Sequence, residues 1–418
     1  MVESDYERWK SPHHTYKDHE RPEEVGLERE GVHSFYFDDL PVDFLTSGLE
    51  AACNTQSRSF AVVFSGALQQ RGGSHPPYFS GITIARDLRL PFVLISDPTL
   101  SLSNRIKLAW YVGNHKVPHL YEFIASALDS ITRKTALRPI LIGGSGGGYA
   151  AIQVLARMQE FASALVWNPQ TSIGSYYLPF GIEYMRTAYP NIKIPKDCLS
   201  DGNNFQSFLE KSAKTIPHKL PHPNLIKKHQ LLYMQNVDDT FHMHNHAGPW
   251  LKNCAFSPLS NNTFLSETQN ILFVPGSWGQ GHAPLATALV KDLTSKLACE
   301  PLVKNIALSH LDEHSAIIRP ISWIQPHHSI EKSVKIQCSR ANNQITIHVS
   351  LPQHLKSPRK AALAFYLYDT GEKVDQLPYQ FAGTAAFHTA SNGKLTVVTF
   401  IKDHMGTVVR MKTPVPKS

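Results

Sequence analysis

Apolar residues recur along this chain in two alternating rhythms. Ser59-Phe60-Ala61-Val62-Val63-Phe64-Ser65-Gly66, Pro91-Phe92-Val93-Leu94-Ile95-Ser96, Arg138-Pro139-Ile140-Leu141-Ile142, Ser163-Ala164-Leu165-Val166-Trp167, Gln230 to Gln235 and Asn270 to Pro275 are short, nearly continuous apolar runs. Runs of this length, closed by turn residues, predict strands buried on both faces of a parallel sheet. Between them, Leu120, Phe123, Ile124, Ala127, Leu128 and Ile131 fall at helical spacing, as do Ala150, Ala151, Val154, Leu155 and Met158. A further helix is expected from Ala283 to Leu297. The alternation predicts an α/β domain over residues 31–300, with a mostly parallel sheet and helices on both faces.

Three stretches depart from the rhythm. Residues 1–30 are charged and histidine-rich with little apolar periodicity, and read as a poorly ordered polar arm or one lying over the surface. Residues 171–229 are rich in Tyr, Pro, Asn and Lys. An insertion there, between strands, would lie over the sheet's C-terminal edge as a lid. Residues 301–330, with Pro301, Pro320 and Pro326, read as a linker. Beyond it the period becomes two, in Ser333 to Cys338, Gln344 to Val349, Leu363 to Tyr368 and Lys394 to Ile401. Turn signals separate them at Asn342-Asn343, Asp369-Thr370-Gly371, Asn392-Gly393 and His404-Met405-Gly406. Residues 331–418 are therefore expected to form an antiparallel β-sandwich, immunoglobulin-like in kind.

Composition narrows the function classes. The chain has 418 residues, 42% hydrophobic and 18% charged, which suits one large and one small globular domain. No apolar run approaches the roughly 18 residues of a membrane span. The five cysteines, Cys53, Cys198, Cys254, Cys299 and Cys338, show neither metal spacing nor a disulfide framework, and Met1 to Glu7 lacks an apolar leader. Both features lead us to expect a cytoplasmic protein. The formal charge of +7 is not gathered into a stripe with interleaved aromatics, so nucleic acid is not an expected partner. Most of the 22 histidines stand singly in polar segments and read as solvated surface.

Candidate chemistry centres on Leu141-Ile142-Gly143-Gly144-Ser145-Gly146-Gly147-Gly148-Tyr149-Ala150. Gly143-x-Ser145-x-Gly147 between a strand and a helix matches a nucleophile elbow, which presents a serine hydroxyl on a sharp turn. A phosphate loop would require Gly-Lys-Ser/Thr, and no lysine is present. A dinucleotide fingerprint forced onto Gly146-x-Gly148-x-x-Ala151 wants an acidic residue closing the next strand. That strand ends instead in Asn168-Pro169.

A serine needs a base, and the base an orienting acid, in the order serine, acid, histidine after successive strands. Asn236-Val237-Asp238-Asp239 follows one strand and Gly276 to Pro284, containing His282, follows the next. His282 is the expected base; Asp238 and Asp239 both remain open as the acid. The oxyanion donors are expected at the backbone N–H of Gly146 and of Gly66 or Ala67, with Gly72-Gly73 easing the loop's approach. His242, His244 and His246 beside the two aspartates raise a metal site. The Asp-His pair of binuclear hydrolases is missing, so these histidines are expected to line the site or bond within the acid's loop. No metal and no cofactor is expected.

The elbow with its ordered acid and histidine resembles the α/β-hydrolase superfamily over residues 34–300. Narrower motifs are Asp97-Pro98 with Ala109-Trp110-Tyr111-x-Gly113, Gln235-Asn236-x-x-Asp239 with downstream histidines and Pro249, and Gly281-His282-x-Pro284. They resemble bacterial α/β-hydrolase-like proteins of capsular and surface-polysaccharide biosynthesis, and the accessory-secretion glycan acetyltransferases. The resemblance implies Asp239 as the acid and an ester of a small molecule or carbohydrate as substrate, with an acyl donor where the reaction is a transfer. The expected function is serine-dependent acyl transfer, by an esterase or O-acyltransferase. Its competitor is a non-catalytic scaffold that keeps the fold, since fold alone does not establish activity.

Overall fold

The computed structural model describes residues 2–17, 20–52, 58–68, 71, 73–212, 215–260, 263–309, 334–351, 361–403 and 408–416. The chain divides into two compact units, Met1–Pro320 and Ile321–Ser418. Among the described residues no helix is long and apolar enough to cross a membrane.

The first unit is built on one sheet of eleven strands. They are β1 (His13–Tyr16), β2 (Gly31–Phe37), β3 (Leu40–Ser47), β4 (Ser59–Phe64), β5 (Phe92–Ile95), β6 (Arg138–Gly144), β7 (Ser163–Trp167), β8 (Gln230–Asn236), β9 (Phe256–Ser260), β10 (Thr263–Ser266) and β11 (Ile271–Gly276). Their order across the sheet is β1-β2-β3-β5-β4-β6-β7-β8-β11-β10-β9. Six central strands, from β5 to β11, run parallel; β3 and the β9–β10 hairpin run antiparallel to their neighbours. This is an α/β-hydrolase-like architecture, as the strand and helix periods predict.

The central strands are apolar throughout because both their faces are covered. Ala61, Val63, Ile140, Ile142, Leu165 and Leu232 share one core with Val290, Leu293 and Leu297 of the helix Thr287–Cys299. The alternate residues Phe60, Val62, Leu141 and Ala164 are as fully buried and point to the opposite face. The helices Leu120–Thr135 and Gly146–Leu155 bury their apolar stripes on that side.

Register decides where function can sit. Phe64 pairs with Gly143, Gly144 with Trp167, Trp167 with Met234, and Asn236 with Gly276. The C-terminal ends of β4, β6, β7, β8 and β11 therefore form one edge. In parallel sheets of this kind the loops leaving that edge form the crevice that binds ligands.

Four expectations need correction. The described part of residues 1–30 is not a free arm. It adds β1 in parallel to β2, buries the Tyr6 hydroxyl against Asp43 and packs Trp9 on Phe79. The expected linker begins later, because Val303–Ser309 is a helix whose Val303 and Ile306 are buried in the first unit's core. Two isolated histidines, His33 and His229, are buried rather than solvated. His33, for instance, bonds Tyr16 through Nδ1 and Arg29 and Thr46 through Nε2. The last helix starts at Thr287 rather than Ala283, because Gly281 to Ala286 still belongs to the loop leaving β11.

The insertion between β7 and β8 carries the helices Leu178–Ala188 and Gly202–Ser212 and two single turns. In the second unit, β12 (Lys335–Ala341), β13 (Gln344–Ser350) and β16 (Thr384–His388) form one antiparallel sheet. A second is made of β14 (Ala361–Asp369), β15 (Glu372–Gln380), β17 (Leu395–Asp403) and β18 (Val408–Pro414). Ile345, Ile347 and Phe387 of the first sheet share a core with Leu363, Phe365, Val397 and Ile401 of the second. β15, β16 and β18 escape the sequence pattern; β15 is almost wholly exposed and shows no alternation. The turn expected at His404 to Gly406, and residues 310–330 of the linker, lie outside the described residues.

Candidate active site

The turn after β6 is held by its backbone. Ser145 sits at φ 55°, ψ −121°, a conformation that L-residues avoid and that costs about 1–3 kcal/mol. Its N–H donates to Trp167 O at 3.0 Å, and its carbonyl accepts from Tyr149 N at 3.1 Å and Gln170 N at 3.2 Å. The flanking glycines follow from contact. A Cβ on Gly143 would lie 2.4 Å from the Gly147 carbonyl, and one on Gly147 would lie 2.5 Å from the Phe64 carbonyl. The helix can start this close to β4 and β6 only without side chains there.

The loop after β4 reaches the same point. A Cβ on Gly66 would stand 3.4 Å from Gly144 O and 3.9 Å from Ser145 Cβ, and Leu68 N ties the loop to Lys107 O at 2.8 Å. Ala67 is the next residue along; Gly72 lies outside the described residues. Among the described residues, the N–H groups of Gly66, Ala67 and Gly146 have no protein acceptor. They are free to bind an anionic oxygen.

Two asparagines join the loops that carry Asp239 and His282. Asn236, at the end of β8, donates through Nδ2 to Gly279 O and Gly281 O, both at 2.8 Å. Asn168, after β7, accepts from Asn236 N at 2.7 Å and donates to Ala283 O at 2.9 Å. His282 is thereby bracketed by bonds on both sides.

Asp239 is buried and accepts from His282 Nδ1 at 2.5 Å through Oδ2. Its Oδ1 accepts from the backbone N–H of His242 at 3.1 Å and from His242 Nδ1 at 3.0 Å. Burial alone would push this carboxyl up, but the bonds from His242 and His282 outweigh it and hold it well below the usual carboxylate range. Asp238 is exposed and accepts from the Ser277 hydroxyl instead. One carboxylate thus serves two imidazoles while its neighbour serves neither.

The His242 ring stacks on that of His282, with centroids 4.0 Å apart and planes 15° apart. Burial lowers the proton affinity of His242 against the opposing pull of Asp239, and lowers that of His246 further. Tyr176, from the insertion, places its ring 5.9 Å from His242 and 6.2 Å from Trp110, so the insertion lines this region.

Asp239, His242 and His282 are close enough together to suggest a metal site. The rings argue against it. Imidazole lone pairs lie in the ring plane, and two nearly parallel stacked planes do not meet at one ion. Both Nδ1 atoms also lie at hydrogen-bond distance from the carboxylate, where each donates a proton.

Sequence reasoning missed Gln170. Its Nε2 donates to Ser145 Oγ at 3.1 Å, and its Oε1 accepts from Trp110 Nε1. The polar run Asn168-Pro169-Gln170-Thr171-Ser172, leaving a buried strand, was the available signal. Among the described residues no hydrogen bond joins Ser145 to His282. The structure brings His282 to Asp239 and Gly66 to Ser145, and at rest it gives the seryl oxygen to Gln170.

Neither a family model nor a curated protein matches the chain. Solved structures do. The Glycosylation Associate Protein (Gap123) complex from Streptococcus agalactiae aligns at 16% identity and TM-score 0.40, over 63% of this chain and 46% of that one. An α/β hydrolase from Sphaerobacter thermophilus aligns at 14% identity and TM-score 0.33, over 62% of this chain and 96% of that one. Pyrococcus horikoshii acylaminoacyl peptidase aligns at 12% identity and TM-score 0.39, over 71% and 44%. The hydrolase-type fold of the first unit stands on its own sheet order and on the strained serine turn after β6.

Proposed function

We propose that the chain is a serine-dependent acyl-transfer enzyme acting on an ester of a small molecule or carbohydrate. The observation that supports it best is the buried Asp239 bonded to the His282 ring at 2.5 Å, on the sheet edge that also carries the strained Ser145. Ser145 Oγ attacks the ester carbonyl carbon while its proton passes to His282 Nε2. The carbonyl π pair moves onto oxygen, under the N–H groups of Gly146 and of Gly66 or Ala67. When that pair returns, the alcohol leaves with the proton from His282, and Ser145 carries the acyl group. A water or a second hydroxyl, deprotonated by His282, then takes the acyl group by the same steps reversed. Asp239 holds the imidazole in the tautomer that exposes Nε2 and stabilises the imidazolium.

Insertion residues 171–229 act as the lid. A cavity of about 290 Å³ is lined by Ile106, Leu108, Pro179 and Phe180 together with Arg105 and Lys107. A Cβ on Gly146 would stand 2.5 Å from Leu108 Cδ1, so one wall residue of the cavity packs on the residue after Ser145.

The scaffold reading keeps one observation in its favour, the bond from Gln170 to Ser145 in place of one from His282. One experiment separates the two. The protein is incubated with a fluorophosphonate probe and with p-nitrophenyl acetate, beside Ser145→Ala. Acyl-transfer chemistry requires labelling and turnover that vanish in the variant; a folded wild-type protein that stays unlabelled refutes it.

A further inference from the structure

Gln170 has no part in the steps just described, yet it is the side chain bonded to the atom that reacts. It is fully buried, as is Trp110. The indole Nε1 of Trp110 can only donate, so the amide must turn its oxygen towards Trp110 and its NH₂ towards Ser145. Gln170 also donates its backbone N–H to the Ser145 carbonyl at 3.2 Å, which anchors both ends of the residue on the turn. A Cβ on Gly146 would stand 3.5 Å from Gln170 Oε1 and 3.4 Å from Trp110 Cδ1. The amide therefore lies along the Gly146 flank of the serine, where the oxyanion is expected.

Trp110 is itself fixed. It takes φ 54° and Tyr111 φ 60°; Asp97 Oδ2 accepts from Tyr111 N at 2.6 Å, and Tyr121 donates its hydroxyl to Trp110 O at 2.6 Å. A donor oriented this firmly needs no reorganisation when charge develops nearby.

Building on the acyl-transfer reading, we infer that the side-chain amide of Gln170 is a catalytic oxyanion donor, supplementing the backbone N–H groups of Gly146 and of Gly66 or Ala67. At rest the amide donates to Ser145 Oγ. As Oγ bonds to the carbonyl carbon, its lone pair is consumed and its proton goes to His282. The carbonyl π pair becomes a full charge on the neighbouring oxygen, which is then the stronger acceptor, and the amide N–H moves to it. When the pair returns and the leaving group departs, the amide loses that partner. The interaction is strongest in the transition state, so its removal acts on kcat rather than KM.

Two near-isosteric variants test this. Gln170→Glu keeps the acceptor for Trp110 and loses the donor; Gln170→Met loses the donor without adding charge. Turnover of p-nitrophenyl acetate is measured alongside inhibition by phenylboronic acid, whose tetrahedral adduct mimics the charged intermediate. Both variants are expected to lower kcat about 100-fold, to change KM by less than about threefold and to weaken the boronate by a factor similar to the kcat loss. A fall in kcat with unchanged boronate affinity would reduce Gln170 to a clamp on the resting serine and overturn the proposal, as would two variants that behave like wild type. Should neither fold, Trp110→Phe leaves Gln170 in place and frees its amide to turn. A loss of about tenfold in both kcat and boronate affinity is then expected, and no loss refutes the proposal. Failure of fluorophosphonate to label the wild-type protein counts against the acyl-transfer reading itself and is read independently of these ratios.

Discussion

The turn around Ser145 and the loop around Asp239 are the two halves of the candidate site, and they are specified differently. The turn is a matter of backbone: Gly143 and Gly147 are each required by another main-chain atom, the Gly147 carbonyl and the Phe64 carbonyl. The loop is a matter of side chains. Asp239 gives one oxygen to His282 and the other to His242, and Asn236 and Asn168 tie the flanking segments together. A backbone device admits almost no substitution but can be read locally. A side-chain network tolerates changes one at a time, in steps of graded cost, and depends on residues distant in sequence. Substitutions in the two halves should therefore fail differently.

The turn should fail outright. In Gly147→Ala the new methyl would lie 2.5 Å from the Phe64 carbonyl oxygen and 3.0 Å from the carbonyl carbons of Phe64 and Ser65, at the end of a central strand. Main chain in mid-sheet cannot move aside as a side-chain tip can, so a loss of about 3 kcal/mol or more is expected. Thermal melting and fluorophosphonate labelling should fall together; a well-folded, fully labelled Gly147→Ala protein would break the distinction. In the loop, Asp239→Asn should leave the fold intact and cost less stability than Gly147→Ala, since the Asn oxygen can still cap His242 N. Turnover should drop by about 10⁴-fold through the wrong His282 tautomer. Activity and stability would then separate in the loop and not in the turn.

The same difference explains what could be read from the sequence. The α/β alternation, the sharp serine turn and the placing of Ser145, Asp239 and His282 on loops after successive strands were legible because each is a local pattern of strand, glycine or loop position. The choice between Asp238 and Asp239 rested on the resemblance alone, because adjacent residues leave one strand and only the folded partners, Ser277 for one and His282 for the other, tell them apart by contact. Gln170 was hidden for the same reason, since its role depends on Trp110, 60 residues earlier. His229 looked like surface in Lys227-Lys228-His229, yet its Nδ1 accepts from Ala162 N and burial pushes it down to about 4. β15 carried too few buried positions to show a period of two.

His242 sharpens the comparison, because it acts on Asp239 in two separable ways. His242→Asn keeps a donor near the Nδ1 position and loses the stacked ring; His242→Phe keeps a ring and loses the donor. A hydrogen bond to a buried charge is worth about 1.5–3 kcal/mol, so His242→Phe should lower kcat/KM about 10- to 100-fold and His242→Asn less. The pH dependence has a definite sign. Burial depresses the proton affinity of His242 in the fold, so its contribution to stability is complete above about 6.5 and is lost as pH falls below that value. Asp239 is also depressed, and its contribution is lost only below about 4. Without the His242 donor, the full charge of Asp239 bears on the His282 ring. Equal losses of kcat/KM in the two variants would show that His242 acts by packing alone.

Asp238→Asn should have the smallest effect. Asp238 is exposed, its partner is the Ser277 hydroxyl, and Asn retains an oxygen to accept that bond. Its charge lies one residue from Asp239 but in water, where salt and solvent screen it. Turnover should therefore change by about threefold or less, with the change shrinking as ionic strength rises. The variant is also the control for the loop as a whole. If any disturbance at this turn displaced His282, Asp238→Asn would lose activity alongside Asp239→Asn, and the four-decade gap between them would close. Probe labelling rates measured side by side at low and high salt decide it. A dead Asp238→Asn beside an active Asp239→Asn would transfer the acid's role to the exposed neighbour, and would mean that the loop rearranges before substrate binds.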